Sequence, residues 1–371
     1  MNKNNIFALL KKLVETESPT HDKEAVDRVG AILTGASQKL GASITVYPQE
    51  TRGNHIHAKW RASSSQSQKK GILLLGHIDT VFPLGTLEKM PFYEKDDKTF
   101  GPGVLDMKGG LVIGLSAVEE LLATDTMPDR PISMLFTSDE EVGSQTSRAL
   151  IEKLAAESDL VLVLESALVD GSIKTARKGT GNFTLRAKGR AAHAGGAHAE
   201  GRNAIEEMAH QVLAVQSLTD YAKGTTLNVG TIRGGTTSNV VPDFAEVVID
   251  LRIMQAEEYE RIEKAIRALK PVLEGTSLEV EGELNRPPMP FDGTMKKTFA
   301  KAKAIAQNEG IALKARGTGG ASDANFVAPL GISVLDGLGT AGEGLHSSRE
   351  YIFTKSLVEK TELLVALLRE W

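Results

Sequence analysis

The chain has 371 residues, of which 41% are hydrophobic and 25% charged, so wholesale disorder is excluded and two domains are expected. Its net charge of −5, without a basic block interleaved with aromatic residues, argues against a nucleic-acid partner. The chain has no cysteine, so any metal must be bound by His, Asp and Glu side chains.

The first 18 residues predict an amphipathic helix. Their apolar stretch, Ile6–Leu10, is short, and two lysines follow it directly. Such a stretch is too short for the core of a signal peptide or for a membrane span. We therefore expect a cytoplasmic protein without a membrane partner.

Four continuous apolar runs predict strands that are covered on both faces, as in an α/β sheet. They are residues 71–76, 131–136, 159–164 and 331–337. Helical patterns lie between these runs. One is "GGLVIGLSAVEELLA", which begins at Gly109 and precedes the second run, and the other is "SRALIEKLAAE", which begins at Ser147 and precedes the third run. The expected fold class of this part of the chain is therefore α/β.

The middle of the chain alternates apolar and polar residues, as strands with one solvated face do. This alternation is clearest at 179–190 and 244–253, and helical patterns lie nearby at 204–218 and 257–273. The order strand–helix–strand–strand–helix–strand predicts a small, inserted α+β domain. We expect this domain at 178–291 and the α/β domain at 1–177 and 292–371.

Ionisable residues follow each apolar run, where ligands bind in open α/β sheets. A further aspartate lies in the glycine-rich turn "GPGVLDMKGG" just before a helix. Any one of these residues alone is more often structural, and two adjacent glutamates alone are equally a solvated turn. Their joint occurrence favours a shared site, formed by His77, Asp79, Asp106, Glu140, Glu141, Glu165 and His346.

Two histidines and three carboxylates suit a pair of divalent ions, with zinc as the first choice. Asp79 is two residues beyond His77, so both side chains point to the same side and Asp79 can orient the imidazole. One residue of the pair Glu140 and Glu141 then remains without a metal and can act as the general base. The residues alone do not decide which of the two it is.

The motifs "GHIDTV", "GPGVLDMKGG", "TSDEEVGS", "LVLES" and "LH" resemble those of a known enzyme family. It is the two-zinc metallopeptidase family of glutamate carboxypeptidase, aminoacylase, succinyl-diaminopimelate desuccinylase and peptidase T. The resemblance runs from about Glu15 to the C-terminus and is greatest to bacterial glutamate carboxypeptidases. It implies a catalytic domain with a mixed, mainly parallel sheet and an inserted, ferredoxin-like dimerisation domain.

The resemblance also implies the roles of the site residues. His77, Asp106 and Glu165 would hold one zinc, and Asp106, Glu141 and His346 would hold the other. Glu140 would be the general base and Asp79 the carboxylate behind His77. The peptide bond after the bridging aspartate, Asp106–Met107, is often cis in this family. Cobalt or manganese could replace zinc.

Further residues correspond to substrate-binding positions of the family. "RAAHAGGAHAEGRNA" implies that His193 reaches the active site of a partner subunit and stabilises an oxyanion. Asn239 and Arg252 would bind the substrate, Arg252 through a free carboxylate. Gly319 and Gly320 lie in a loop whose backbone N–H groups could hold that carboxylate. The alternatives are a surface position for His193, a turn cap for Asn239 and an ion pair with Asp250 for Arg252.

The expected function is zinc-dependent hydrolysis of an amide bond next to a free α-carboxylate. The expected enzyme is a homodimer of carboxypeptidase type, which acts on a small peptide or N-acyl amino acid and releases a residue such as glutamate. One alternative is an N-acyl-amino-acid deacylase or dipeptidase. Another is a non-catalytic, metal-binding relative, which is disfavoured because the base and all expected ligands are present.

Overall fold

The computed structural model describes residues 3–64 and 67–371. Its described residues form two compact units. The first comprises the chain up to Ala176 together with Phe291–Thr318 and Ser322–Trp371, and the second comprises Arg177–Pro290 and Gly319–Ala321. Within the second unit, the Arg177 guanidinium donates hydrogen bonds to the carbonyls of Gly320 and Ala321.

The first unit is built from helices and strands in alternation. Up to its boundary with the second unit it contains α1 (Lys3–Val14), α2 (Lys23–Lys39), β1 (Ser43–Tyr47), β2 (His55–Trp60), β3 (Gly71–His77), β4 (Tyr93–Lys95), β5 (Lys98–Phe100), α3 (Gly109–Ala123), β6 (Ile132–Thr137), α4 (Arg148–Ala156), β7 (Ser158–Val163) and β8 (Ile173–Arg177). The helix predicted within the first 18 residues corresponds to α1. Residues 1 and 2 lie outside the described part of the chain.

The second unit follows directly. It contains β9 (Gly179–Lys188), β10 (Ala192–His193), α5 (Ala204–Gln216), β11 (Thr226–Gly234), β12 (Val240–Val241), β13 (Phe244–Ile253), α6 (Glu257–Arg267) and β14 (Ser277–Arg286). The first unit then resumes with α7 (Gly293–Asn308), β15 (Ala315–Thr318), α8 (Ala324–Val327), β16 (Ser333–Leu335), β17 (Gly342–Glu343), β18 (Tyr351–Phe353) and α9 (Ser356–Glu370).

The main sheet of the first unit has the order β1-β2-β6-β3-β7-β16. The pairs β3–β6, β3–β7 and β7–β16 are parallel, whereas β1–β2 and β2–β6 are antiparallel. Ile72–Leu75 in the central strand β3 are fully buried, as expected for a strand with both faces covered. A second sheet, β17-β18-β5-β4, and the pair β15-β8 complete the unit.

The second unit is an antiparallel sheet of order β11-β13-β9-β14, with α5 and α6 packed on one face. In chain order the elements are β-α-β-β-α-β, as in the ferredoxin-like fold. Its core includes Phe183, Leu185 and Ile249, which are fully buried. The predicted fold class is therefore confirmed: an α/β part with a mixed, mainly parallel sheet and an inserted α+β part.

One helix is shorter than the sequence pattern predicts. We expected a helix at 257–273, but α6 ends at Arg267. Pro271 cannot donate a backbone hydrogen bond and disfavours helical geometry in the residue before it. The next two amides, of Val272 and Leu273, instead donate to the buried carboxylate of Glu207.

Candidate metal centre

The ends of adjacent parallel strands bring the predicted site residues together. His77 is the last residue of β3, while Glu165 follows β7 by two residues. Glu140 and Glu141 lie in the turn after β6, Ser138–Ser144, which we call the acidic turn. Since β3 lies between β6 and β7 in the sheet, these strand ends share one edge.

Two further residues reach this edge from elsewhere in the first unit. Asp106 lies in the helical turn Val104–Lys108, just before α3, and its backbone departs from helical geometry there. The Asp106–Met107 peptide bond is cis. His346 lies in the loop between β17 and β18 and has a φ of 58°.

Asp106 lies between the two histidines. Its Oδ1 is 3.1 Å from Nε2 of His77, and its Oδ2 is 3.2 Å from Nε2 of His346. Each histidine also faces a second carboxylate. Nε2 of His77 is 3.6 Å from Glu165 Oε1, and Nε2 of His346 is 3.4 Å from Glu141 Oε2. The result is two groups of three side chains that share one aspartate.

Glu140 also lies close to the first group. One carboxylate oxygen of Glu140 lies within 4.8 Å of ligand atoms of His77 and Glu165. One carboxylate oxygen of Glu141 likewise lies within 4.8 Å of ligand atoms of His77 and Asp106. Distance alone therefore admits either glutamate as a ligand.

Asp79 contacts both His77 and the acidic turn. Nδ1 of His77 is 3.0 Å from the backbone oxygen of Asp79 and 3.5 Å from its Oδ1. A proton on Nδ1 suits these acceptors, and in the neutral imidazole it leaves the lone pair of Nε2 free to bind a metal ion. The Asp79 carboxylate accepts hydrogen bonds from the backbone N–H groups of Glu140 and Glu141, each 3.3 Å long. Asp79 therefore fixes the backbone of the two glutamates in addition to facing the imidazole.

The site residues shift each other's protonation. Burial alone would raise the pKa of Asp106, but hydrogen bonds with His346 and His77 hold this pKa far below its usual range. Hydrogen bonds with Asp106 and Glu141 raise the pKa of His346 to about 10. Burial lowers the pKa of His77, yet its carboxylate partners outweigh burial and raise it. The pKa of Glu141 is raised by burial and by repulsion from Asp106.

The donor set fits divalent metal ions. Imidazole nitrogens and carboxylate oxygens are the ligands that zinc accepts in a chain without cysteine. In addition, Glu141 Oε1 is buried and has no hydrogen-bond partner among the residues that the structure describes. A buried carboxylate oxygen without a donor is costly unless a cation neutralises it. The second group of three residues thus has an orphaned oxygen that an ion would satisfy.

The acidic turn forms hydrogen bonds with buried polar residues that the sequence analysis did not identify. Asp139 accepts hydrogen bonds from the amide and hydroxyl of Thr146 and from the Ser147 hydroxyl. His55 is fully buried, with ring nitrogens 3.0 Å from Thr146 Oγ1 and 3.1 Å from Ser138 Oγ. Only the run of Ser, Thr and Asp residues around the turn signalled this network in the sequence.

Glu350 is a second residue that the sequence pattern did not single out. It is fully buried, and its Oε1 accepts hydrogen bonds from the backbone N–H groups of Leu105, at 2.7 Å, and Asp106, at 3.2 Å. Burial raises the pKa of Glu350 to about 8. Its partners are backbone amides remote in sequence, which no local motif reports.

The remaining predicted residues lie in the second unit. His193 is exposed, and its Nδ1 accepts hydrogen bonds from the backbone N–H groups of Gly195 and Gly196. Asn239 Oδ1 accepts a hydrogen bond from the Thr237 hydroxyl. The Arg252 guanidinium forms a two-pronged pair with Asp250, with N–O distances of 2.8 to 3.1 Å. This pair is the alternative that the sequence had left open for Arg252.

The glycine loop also groups with the second unit. Gly319 has open space where a Cβ would lie, and Gly320 accepts a hydrogen bond from Arg177 through its carbonyl.

In the described part of the chain, no helix is long and apolar enough to cross a membrane.

Comparison with known proteins places the chain in a family. Residues 73–370 match Peptidase family M20/M25/M40. The chain is 30% identical over 373 residues to carboxypeptidase G2 of Pseudomonas sp. (strain RS-16), covering 98% of this chain and 89% of the relative. It is 27% identical to succinyl-diaminopimelate desuccinylase of Nitrosospira multiformis, covering 95% of each.

A solved structure agrees with these matches. The crystal structure of aminopeptidase PepT from Bacillus cereus superposes with a TM-score of 0.83 at 25% identity, covering 100% of this chain and 99% of that one. The predicted family and the predicted enzymatic nature are thereby confirmed, and the non-catalytic alternative is set aside. The chain belongs to peptidase family M20/M25/M40 and is a hydrolase of the metallo-exopeptidase and amidohydrolase type.

Proposed function

We propose that this hydrolase is a two-metal carboxypeptidase that cleaves an amide bond next to a free α-carboxylate and releases a C-terminal amino acid such as glutamate. One observation carries the proposal: the two oxygens of Asp106 face two different histidines, 3.1 and 3.2 Å away. A carboxylate shared in this way suits a pair of ions rather than one. The similarity to carboxypeptidase G2 supports the choice of reaction.

In this proposal His77, Asp106 and Glu165 hold one ion, and Asp106, Glu141 and His346 hold the other. Zinc is the first choice, with cobalt or manganese as substitutes. When bound, such a pair polarises a carbonyl and lowers the pKa of a water molecule.

Glu140 is the general base in this proposal. Its backbone N–H is held by the Asp79 carboxylate, so the side chain has a fixed starting point beside His77 and Glu165. The Glu140 carboxylate takes a proton from the attacking water and later donates it to the departing amine nitrogen. Glu141, whose amide is bonded to the same Asp79, acts as a ligand.

The substrate's free carboxylate is assigned to the second unit. Arg252 is the main candidate, because Asp250 already orients its planar guanidinium and such a group can grip a carboxylate with two hydrogen bonds. Asn239 and the backbone N–H groups of Gly319 and Gly320 are proposed as further contacts.

We also propose a homodimer formed through the second unit. Strand β11 lies at one edge of its sheet, with its side chains largely exposed, including Ile232 at 62%. Leu213 on α5 is 72% exposed as well. His193 would enter the partner's site: because its Nδ1 accepts two backbone hydrogen bonds, the proton lies on Nε2, which can donate to an oxyanion. Light scattering of the purified protein tests the dimer.

A substrate panel on the zinc-loaded protein tests the reaction. It varies the C-terminal residue and the N-acyl group separately, and each peptide is paired with its C-terminal amide. We expect hydrolysis of glutamate-terminated dipeptides and little hydrolysis of the amides, with the preference for free carboxylates reduced at least tenfold in Arg252→Ala. Equal rates on acids and amides in the wild type would contradict the carboxypeptidase assignment.

N-acyl-amino-acid deacylation is the second candidate, favoured by the similarity to a desuccinylase over 95% of the chain. The same panel separates it from the first. A deacylase would prefer acetyl or succinyl amino acids and would tolerate many residues on the amine side. A carboxypeptidase would prefer peptides and would discriminate among C-terminal residues.

A further inference from the structure

The loop that carries His346 also carries a buried carboxylate that reaches the backbone of Asp106. Glu350 is four residues after His346 and immediately precedes β18. Between them the loop is held compact by two short-range hydrogen bonds, from the Ser347 amide to Gly344 and from the Glu350 amide to Ser347. The positions of His346 and Glu350 are therefore tied to each other.

Glu350 accepts a hydrogen bond from the backbone of the shared aspartate. Its Oε1 accepts the amides of Leu105 and Asp106, two consecutive residues of a turn in which Asp106 leaves helical geometry. A carboxyl oxygen is a good acceptor for backbone N–H groups, and full burial shields these hydrogen bonds from water. Glu350 thereby anchors the turn at Asp106, the residue that faces both histidines.

The second oxygen of Glu350 distinguishes this residue from an ordinary structural brace. Oε2 is buried and has no hydrogen-bond partner among the residues that the structure describes. Keeping a half-satisfied carboxylate in the interior costs stability that an apolar side chain would not cost. This cost is not explained if Glu350 serves only to stabilise the fold. It is explained if Glu350 serves to position Asp106.

We propose that Glu350 is a positioning residue of the metal centre: it fixes the Asp106 backbone relative to His346, so that one carboxylate can serve two ions. The inference rests on the proposed two-metal function. It concerns the assembly of the site and not the identity of the substrate.

The test compares Glu350→Ala and Glu350→Gln with the wild type. Zinc affinity is measured by chelator competition. The visible absorption spectrum is recorded for the cobalt-loaded protein, and thermal unfolding is measured for the metal-free protein. Glutamine keeps an oxygen that can accept both amides, so it should preserve zinc affinity within about threefold and leave the cobalt spectrum unchanged. Alanine should weaken zinc affinity about tenfold or more and alter the spectrum, as removal of groups that orient ligands does.

A buried carboxylate in the second unit provides the matched control. Glu207 is fully buried and accepts the consecutive amides of Val272 and Leu273. Glu207→Ala should lower the unfolding temperature as Glu350→Ala does, but it should leave zinc affinity and the cobalt spectrum unchanged. If Glu350→Ala fails to fold, Glu350→Asp takes its place, since the shorter side chain cannot reach both amides and should weaken zinc affinity.

Two results would overturn the inference. One is an alanine or aspartate variant that loses thermal stability but binds zinc within twofold of the wild type with the same cobalt spectrum. The other is a glutamine variant that loses zinc affinity as much as alanine does. Failure of the proposed function has a different signature: the wild type itself would bind fewer than two ions or hydrolyse no member of the substrate panel.

Discussion

The hydroxyl of Ser144 donates a 2.5 Å hydrogen bond to the buried carboxylate of Asp323. Ser144 ends the acidic turn and has a φ of 56°, a conformation that residues other than glycine seldom adopt. Its amide also donates to the Asp139 carbonyl at 2.8 Å. Asp323 lies just before α8, so the last residue of the acidic turn is pinned to a distant segment of the chain.

The first prediction concerns this hydrogen bond. Ser144→Ala should destabilise the protein by about 1–2 kcal/mol, because it removes one donor from a buried carboxylate. It should also lower kcat, because the turn that carries Glu140 is less firmly held. Denaturant unfolding and steady-state kinetics measure the two effects. Ser217→Ala is the control: its hydroxyl donates to a backbone carbonyl on an exposed helix end, and the change should be near neutral. An unchanged stability in Ser144→Ala would refute the pinning role.

The second prediction separates the adjacent glutamates. Glu140→Gln should keep two ions per subunit and lose roughly 10²–10⁴-fold in kcat, because it removes the proposed general base but none of the proposed ligands. Glu141→Gln should lose metal first, and added zinc should partly restore its activity. Metal analysis after gel filtration, together with kcat, distinguishes the two variants. A halved metal content in Glu140→Gln would mean that the two roles are exchanged.

The third prediction concerns the close approach of α3 to the strand that leads to Glu165. A Cβ on Gly110 would lie 1.9 Å from the carbonyl oxygen of Leu164, a backbone atom that cannot move aside. Gly110→Ala should therefore destabilise the protein by about 3 kcal/mol or prevent folding. Gly35→Ala, in the middle of α2 with open space around its Cβ position, should instead stabilise it by about 0.5–1 kcal/mol. Equal effects of the two substitutions on the unfolding temperature would disprove the argument.

The fourth prediction is a pH effect in the second unit. Hydrogen bonds from Arg261 lower the pKa of buried Glu258 from 4.5 to about 2, and contacts with Lys223 and Thr225 contribute. Because the folded pKa lies below the unfolded one, this carboxylate stabilises the folded state above pH 4.5, and its contribution is lost as the pH falls from about 4.5 to 2.

The stability difference between the wild type and Glu258→Gln should therefore be large at pH 6 and shrink as the solution is acidified. Calorimetry between pH 6 and pH 3 measures it. Glu257→Gln removes an exposed charge from the same helix and serves as the background. A difference that stays constant over this range would contradict a lowered pKa of Glu258 in the folded protein.

The sequence predicted those features that depend on local pattern. Continuous apolar runs identified β3, β6 and β7, because strands buried on both faces need apolar side chains at every position. The charged residues after them were identifiable since parallel strands end at a common edge. The residues that hold Asp106 and the acidic turn could not be predicted, because their partners are backbone amides or hydroxyls remote in sequence.

Two cases show this limit. Asp79 was predicted as the carboxylate behind His77, but its contacts with the amides of Glu140 and Glu141 depend on how β3 and β6 pair. The end of α6 at Arg267 depends on the buried Glu207, which captures the amides beyond Pro271. In both cases a tertiary contact contributed to the local outcome, and for α6 it adds to the local effect of Pro271.

The order of the site residues along the chain has a consequence for biosynthesis. His77, Asp106, Glu141 and Glu165 are made before the second unit, whereas His346 is made after it. A nascent chain therefore exposes a set of carboxylates with only one of the two histidines until synthesis is nearly complete. Since domains commonly fold as they emerge from the ribosome, the second unit can fold before the centre exists in full. A product truncated just after the second unit would accordingly carry all three proposed acidic ligands but lack His346, and so would have no complete centre.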